Sequence, residues 1–205
     1  MKSNRLYNLK HKVIAVTGGI ATGKSTVCKI IQEMGFPVIS ADQVIKDIYQ
    51  TKEVQSLISE SYPELINDNQ VDFKELRKVY FQDSELKERL NQYIYPELAN
   101  RVRQFASQLS LDQTLFYEVP LLFEKKLDQQ VDGIILVYSS EKTQKARIAK
   151  RDHSDSKTIA AILSNQLPIE EKRHLSQYII ENDTPEIDLD SLKAQVRTVL
   201  AHFTD

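Results

Sequence analysis

The sequence predicts a three-layer α/β domain in which a parallel sheet lies between helices. Two observations lead to this prediction. Residues 13–17 and 134–138 are continuous apolar runs, which are typical of strands buried on both faces. Stretches with the apolar spacing of helices separate these and other strand-like segments, which is the alternation of an α/β domain.

The first βαβ unit occupies residues 13–40. Strand 13–17 leads into a glycine-rich loop, and residues 25–34 show the apolar spacing of a helix. Gly35 supplies a C-terminal cap for this helix, and Pro37 blocks its continuation. Residues 38–40 then form a second short strand.

The stretch from residue 43 to about residue 111 contains no convincing strand. It predicts three or four helices, which are separated by turn signals at Pro63, at residues 67–69 and at Pro96. The expected helices are 44–49, 54–61, 86–93 and 98–109.

The rest of the chain returns to strands. Residues 114–119, 134–138 and 178–180 complete a sheet of about five strands. A charged helical stretch, 141–173, follows the fourth strand, and a final helix covers about 187–203. The polar first eleven residues are expected to be disordered.

Composition excludes several classes of protein. The chain has 205 residues, and 27 Lys+Arg against 29 Asp+Glu argue against a general nucleic-acid or membrane surface. No run approaches the roughly 18 apolar residues of a membrane span. Cys28 is the single cysteine, which excludes an internal disulfide and argues against a zinc cluster. We expect Cys28 to be buried and the protein to be cytoplasmic.

Residues 18–25, Gly-Gly-Ile-Ala-Thr-Gly-Lys-Ser, fit the phosphate-loop pattern G-x-x-x-x-G-K-[ST]. Glycines let the backbone curl so that its N–H groups face phosphate oxygens, and the following helix adds its dipole. Lys24 then reaches the β- and γ-phosphates, and Ser25 offers its hydroxyl to Mg²⁺. The alternative is a plain glycine turn with an exposed Lys24. The pattern indicates a nucleoside-triphosphate site.

Two acidic residues lie at the ends of predicted strands, where ligands of open parallel sheets bind. Asp42 follows the second strand and is the candidate base for an attacking hydroxyl. Its alternative role is the N-cap of a helix over 43–49. Glu118, near the end of the third strand, is the candidate outer-shell partner of Mg²⁺, or a solvated residue at the rim.

The charged stretch contains a pair of arginines with helical spacing. Arg147 and Arg151 are four residues apart and therefore share one face of a helix. Planar guanidinium groups suit the charge of a transferring phosphoryl group, and a mobile lid would exclude water. The alternative is a solvated helix face.

Taken together, these residues resemble the dephospho-CoA kinase family. The phosphate loop (17–26) is similar to T-G-G-I-G-S-G-K-S-T, and 40–42 to D-A-D, with Ser40 in place of the first acid. The other similar segments are 71–81 (L-D-R-x-x-L-R-x-x-V-F, with Phe73 for Arg), 90–96 (L-N-x-x-x-H-P, with Tyr95 for His), 119–124 (V-P-L-L-F-E), 147–152, 166–172 (Q-x-P-x-x-x-K) and 178–182 (Y-V-I-D-N).

This resemblance implies a P-loop kinase fold and transfer of the γ-phosphate of ATP to the ribose 3′-hydroxyl of dephospho-coenzyme A. ATP and Mg²⁺ are the implied cofactors, with Ser25 as the direct metal ligand and Glu118 in its outer shell. The implied catalytic residues are Asp42, Lys24, Arg147 and Arg151. Nucleotide contacts are expected from Gly18, Gly19, Ala21, Thr22, Gly23, Lys24, Ser25, Thr26 and Asn182, and acceptor contacts from Asp42, Arg77, Glu118 and Leu121.

The implied organisation has three parts. Residues 12–45 with 113–140 and 174–205 form the nucleotide-binding core, 46–112 a helical acceptor-binding insertion, and 141–173 a lid. The expected partners are ATP and dephospho-CoA, without nucleic acid or membrane, and the expected state is a monomer or weak homo-oligomer. Arg77 is an expected acceptor-phosphate contact, with an exposed helix residue as the alternative.

Two other functions stay open. One is a different small-molecule P-loop kinase, such as a nucleoside monophosphate kinase. The other is a nucleotide-dependent switch or a non-catalytic nucleotide binder. The absence of the guanine-reading N-K-x-D motif counts against a switch. Asp42 and the arginines count against a degenerate binder, whereas the departures at Ser40, Phe73 and Tyr95 count for one.

Overall fold

The computed structural model describes residues 5–152 and 155–203. Strands and helices alternate along most of this chain. The strands are β1 (Val13–Gly18), β2 (Val38–Ser40), β3 (Ile66–Asn67), β4 (Gln70–Val71), β5 (Leu115–Glu118), β6 (Gly133–Tyr138) and β7 (Tyr178–Glu181). The helices are α1 (Lys24–Glu33), α2 (Ala41–Tyr49), α3 (Lys52–Ser59), α4 (Phe73–Gln82), α5 (Ser84–Ala106), α6 (Glu141–Asp152), α7 (Ser156–Leu163), α8 (Ile169–Leu175) and α9 (Leu189–Leu200).

Five strands form one sheet in the order β2-β5-β1-β6-β7. Every pairing in it is parallel, which confirms the predicted sheet. In this register Glu118 is paired with Val16 on one side and with Ser40 on the other. The carboxyl ends of β1, β2 and β5 therefore meet at one edge, where open sheets bind ligands.

Helices cover both faces of the sheet. On one face, β-strand side chains such as Ile14 and Val137 join the buried sides of α1 and α9 in a single core cluster. On the other face, Leu136 and Tyr138 pack with Ile169 of α8. Since β1 and β6 are buried along their whole length, their sequences are continuously apolar rather than alternating.

The first helix ends as its sequence predicts. Gly35 adopts a left-handed backbone, with φ at +88°. Its N–H donates to Gln32 O (2.9 Å), and the N–H of Phe36 donates to Ile31 O (3.3 Å). This pair of bonds is a Schellman cap, which satisfies the last carbonyls of α1 and turns the chain into β2.

Residues 41–108 contain two elements that the sequence interpretation missed. The expectation of no strand here is wrong, because β3 and β4 form a small antiparallel hairpin. Its two turn residues, Asp68 and Asn69, have φ values of +50° and +58°, the left-handed pair that suits a tight hairpin. Helix α4 was also not predicted, and it begins after Asp72, whose carboxylate accepts hydrogen bonds from two of its first N–H groups.

The two helices expected on either side of Pro96 are one helix. Helix α5 spans 23 residues and continues through this proline. A proline inside a helix costs about 3 kcal/mol, but the buried stripe of α5 is unbroken across it. Burial of each large apolar side chain stabilises by about 1.5–3 kcal/mol, so the stripe outweighs the proline. The buried residues of α5, spaced four apart, are Leu86, Leu90, Ile94, Leu98, Val102 and Ala106.

The charged stretch after β6 is helical, as predicted, and consists of α6, α7 and α8. Positions 153 and 154 lie outside the described residues. The last helix starts after Asp188, whose carboxylate accepts from the N–H groups of Asp190 and Ser191. A short 3-10 turn, Ala201–Phe203, follows α9.

The prediction of disorder is wrong for residues 5–11, while residues 1–4 lie outside the described part. Leu6 is fully buried, and the Tyr7 and Tyr117 hydroxyls lie 3.0 Å apart. The Arg5 guanidinium pairs with the Asp132 carboxylate at 2.9 Å. These contacts fix the polar segment against the domain.

The chain divides into two compact units. One comprises the described residues up to Ser40 together with those from Leu109 onward, and it contains the five-stranded sheet. The other is Ala41–Gln108, with helices α2–α5 and the hairpin.

Candidate active site

The predicted phosphate loop joins β1 to α1 at the carboxyl edge of the sheet. Two of its glycines have positive φ, +156° at Gly18 and +91° at Gly23. A Cβ at Gly18 would lie 2.5 Å from Val137 O, and one at Gly23 would lie 2.5 Å from Asn182 Nδ2. Only glycine fits either position, since both the backbone angle and the space exclude a side chain.

The loop is also held by its own side chains. Thr22 Oγ1 donates to Gly19 O at 3.0 Å. The ammonium of Lys24 donates to Gly18 O (3.1 Å) and Gly19 O (2.7 Å). The Lys24 ammonium therefore lies against the loop. The N–H groups at the start of α1 also attract anions, so both features favour phosphate binding here.

Arg147 of α6 contacts the loop directly. Its guanidinium donates to Ala21 O (3.0 Å), to Ser139 Oγ (3.2 Å) and to Thr184 O (2.9 Å). It also donates to the backbone and side-chain oxygens of Asn182, at 3.0 and 3.2 Å. Burial lowers the pKa of the guanidinium, and the nearby Asp183 carboxylate acts in the opposite direction. Arg147 thus binds the loop to the region after β7.

Asn182, predicted to contact the nucleotide, is buried and lies directly behind the loop. Its Nδ2 donates to Thr22 O at 2.8 Å, and its backbone carbonyl accepts from Ser139 Oγ at 2.6 Å. Two successive loop carbonyls therefore accept hydrogen bonds from side chains outside the loop, Ala21 O from Arg147 and Thr22 O from Asn182.

The donors proposed for Mg²⁺ fit that ion. Ser25 is exposed in the first turn of α1, and Glu118 ends β5. Burial in α1 raises the pKa of the Cys28 thiol; the Glu118 carboxylate adds to this rise and the Lys24 ammonium opposes it. Hydroxyl and carboxylate oxygens are hard ligands of the kind that Mg²⁺ takes together with substrate phosphates. Cys28 is buried, as predicted.

In the described part of the chain, no three His, Cys, Asp or Glu side chains are grouped to hold a metal ion. Within the same residues, no helix combines the length and the apolar character needed to cross a bilayer.

The other predicted site residues are distributed as follows. The Arg151 guanidinium pairs with the neighbouring Asp152 carboxylate and is exposed. Leu121 is half-buried in the segment after β5, and Arg77 is exposed on α4. Arg77 and Asp42 belong to the unit Ala41–Gln108.

Asp42 follows β2 by two residues and is exposed. It lies in the first turn of α2, which begins at Ala41, so it does not precede the helix as an N-cap would. The cap alternative for Asp42 is therefore wrong. A carboxylate in a first helical turn is still favoured by the helix dipole.

Sequence reasoning missed a second group of residues at the loop. Gln166 Oε1 accepts from the N–H of Ile20 at 3.1 Å. One residue on, the N–H of Leu167 donates to Glu124 Oε1 at 2.8 Å, and the fully buried Lys172 pairs with the same oxygen at 2.8 Å. Spacing within 166–172 matches a family motif, but nothing local in the sequence indicates that it contacts the phosphate loop.

Comparison with known proteins identifies the same family. The family model for dephospho-CoA kinase matches residues 12–188. A curated relative, the dephospho-CoA kinase of Fusobacterium nucleatum, is 36% identical over 179 residues, covering 86% of this chain and 92% of the relative.

Solved structures agree. A crystal structure of a Thermus thermophilus protein has a TM-score of 0.80 and 28% identity, covering 95% of this chain and 99% of that one. The dephospho-CoA kinase of Campylobacter jejuni has a TM-score of 0.64 and 26% identity, covering 95% and 98%. The chain therefore belongs to the dephospho-CoA kinase family, a family of kinase enzymes.

Proposed function

We propose that this protein transfers the γ-phosphate of ATP to the ribose 3′-hydroxyl of dephospho-coenzyme A. The observation that carries the proposal is the built phosphate loop, with Lys24 on its carbonyls, in a chain of the dephospho-CoA kinase family. Phosphoryl transfer depends on positioning and on charge stabilisation, and a loop held in shape before the substrate binds supplies both.

The loop binds the phosphates of ATP through its backbone N–H groups and the first turn of α1. Lys24, which otherwise donates to Gly18 O and Gly19 O, moves its ammonium onto the phosphate oxygens as charge develops there. Ser25, with support from Glu118, would hold Mg²⁺, and the ion would neutralise part of the charge on the phosphates. Asn182 and Arg147 keep the loop in place from behind.

The sequence assigned Arg147 and Arg151 the same role, and in this proposal their roles differ. The guanidinium of Arg147 is already bonded to the loop and to the region after β7, so it acts by holding the nucleotide site. Arg151 is exposed, and a guanidinium paired only at the surface exchanges partners at little cost. Arg151 is therefore the arginine that contacts the transferring phosphoryl group.

Asp42 orients or deprotonates the attacking hydroxyl. A carboxylate at this proton contributes about 10²–10⁴-fold in general-base catalysis. The change Asp42→Asn keeps the shape and removes the basicity, so we expect turnover to fall at least about a hundredfold while ATP still binds. Ser40→Ala, two residues away, should stay within a few-fold of the unsubstituted protein. Normal turnover by Asp42→Asn would show that Asp42 is not the base, which would then have to be Glu118 or solvent.

In this proposal residues 46–112 hold the acceptor, and Arg77 and Leu121 contact the acceptor. Residues 141–173 close over the site as a lid. The small-molecule partners are ATP and dephospho-CoA. The cytoplasmic location and the monomeric or weakly oligomeric state stay predictions from the sequence.

A coupled ADP-release assay with a panel of acceptors tests the function. We expect turnover with dephospho-CoA and little with AMP or CMP, and phosphorus NMR of the product should show a 3′-phosphomonoester. Preferential turnover of AMP or CMP would indicate a nucleoside monophosphate kinase instead. ATP binding without transfer to any acceptor would indicate a non-catalytic nucleotide binder.

A further inference from the structure

Three successive residues of the phosphate loop are each held by a side chain from far along the chain. The N–H of Ile20 donates to Gln166, Ala21 O accepts from Arg147, and Thr22 O accepts from Asn182. Arg147 and Asn182 both hold carbonyl groups. Gln166 alone of these three holds an N–H, and it does so on the residue that precedes Ala21.

Ala21 is the residue that needs this support. Its φ is +60°, in the left-handed region, although it carries a Cβ. That conformation costs a non-glycine residue roughly 1–2 kcal/mol, and it persists only where the surroundings fix it. Arg147 holds Ala21 O itself, while the Ile20 N–H bonded to Gln166 and the Thr22 O bonded to Asn182 belong to the peptide groups one step further out on each side. The chain is therefore fixed on both sides of the left-handed residue.

A buried ion pair fixes the position of Gln166. The N–H of the next residue, Leu167, donates to Glu124 Oε1. The same oxygen pairs with Lys172, whose ammonium also donates to Pro120 O at 2.9 Å. Lys172 is fully buried, so its ammonium cannot freely exchange these partners for water. The segment 166–172 is thereby tied to the chain that follows β5.

We propose that Gln166 is a positioning residue for phosphoryl transfer, which keeps the left-handed turn at Ala21 formed before the nucleotide arrives, with Glu124 and Lys172 as its anchor. The proposal rests on the proposed function, because the ligand of the loop is a nucleotide. Without the Gln166 carboxamide, part of the binding free energy of the nucleotide is used to form the turn. The affinity for nucleotide then falls, while the KM for the acceptor stays unchanged.

The test measures binding of Mg·ADP by calorimetry rather than turnover. We expect Gln166→Ala to weaken binding roughly five- to thirtyfold, the range that corresponds to the cost of the left-handed residue. The matched control is Asn165→Ala, because the Asn165 side chain donates to Ala161 O in its own helical turn. It should bind Mg·ADP as the unsubstituted protein does. Thermal unfolding of each variant checks that the fold is intact.

A double substitution separates positioning from a general structural effect. Glycine adopts the left-handed conformation without a steric cost, so Gln166→Ala should weaken binding much less in an Ala21→Gly background. Equal binding by Gln166→Ala and the unsubstituted protein would overturn the inference. So would an undiminished loss in the Ala21→Gly background. Failure of the unsubstituted protein itself to bind Mg·ADP would instead refute the proposed nucleotide site, and the inference with it.

Discussion

Removal of the Lys172 ammonium isolates the energetic role of the buried ion pair. Lys172→Met keeps an unbranched side chain of similar length and removes the charge. Glu124 then retains the hydrogen bond from Leu167, while its other oxygen, Oε2, is buried without a hydrogen-bond partner. The substitution therefore leaves a carboxylate that is poorly solvated and unpaired.

The size of the effect follows from burial. Breaking a buried ion pair by removing one partner costs about 3–5 kcal/mol. The Lys172 side chain is 0% exposed but that of Glu124 is 20% exposed, so the pair is not completely removed from solvent and the lower end applies. A loss of about 3 kcal/mol lowers the Tm of a chain of this size by roughly 6–12 °C.

Circular dichroism during heating measures this Tm, and two further variants complete the experiment. In Glu124→Gln/Lys172→Met the unpaired charge is gone and the carboxamide oxygen still accepts from Leu167, so much of the loss should be recovered. Lys145→Met breaks an exposed ion pair with Glu141, which is worth less than about 1 kcal/mol. Equal Tm values for Lys172→Met and Lys145→Met, or a double variant no more stable than Lys172→Met, would refute the reasoning.

Three further outcomes are expected. Lys24→Ala should nearly abolish phosphoryl transfer in the ADP-release assay and leave the fold intact. The control Lys29→Ala, on the exposed side of α1, should keep normal turnover. Normal turnover by Lys24→Ala would refute the phosphate-loop assignment. Hydrogen exchange in Ser156–Leu163 should slow when nucleotide binds, because α7 lies between α6, which contacts the loop through Arg147, and α8, which contains the buried Lys172. Equal exchange rates with and without nucleotide would contradict a lid. Hydrogen bonds from Thr143 and Ser140 hold the pKa of Asp183 below its usual range, so their stabilisation is present above about pH 4 and lost as the pH falls further. Urea midpoints of Asp183→Asn should therefore decrease less on acidification than those of the unsubstituted protein, and parallel decreases would contradict this.

The central sheet could be predicted because its signals are local. Strands such as β1 and β6 are continuous apolar runs, and Gly35 marks the end of α1 by itself. Helix α4 also had a local signal that was overlooked: Asp72 precedes it and Glu75 follows three residues later, the pattern of a capping box.

Helix α5 shows where local signals mislead. Pro96 is a strong breaker on its own, but the decision between one helix and two is made by burial against other helices, which a local pattern does not report. The four-residue spacing of the apolar side chains across Pro96 was the better guide.

The candidate site divides in the same way. The phosphate loop is contiguous in sequence, so its type and position could be predicted. Its supports are not contiguous: Arg147, Gln166 and Asn182 contact it from 126, 146 and 160 residues away. Arg147 and Asn182 are expected at the site through the family resemblance, but no local signal places an arginine, a glutamine or an asparagine of these segments against the loop.

These separations have a consequence for synthesis of the protein on the ribosome. The loop leaves the ribosome well before Asn182 and the edge strand β7, because Asn182 follows Thr22 by 160 residues. Contacts between segments so distant in the chain form late and slowly. A nascent chain that stops before β7 would carry the complete loop sequence and still lack the hydrogen bond that Asn182 donates to Thr22 O. Nucleotide binding should therefore be acquired only after β7 has emerged, and binding of a fluorescent nucleotide by stalled chains of increasing length would report when the loop gains its support from Asn182.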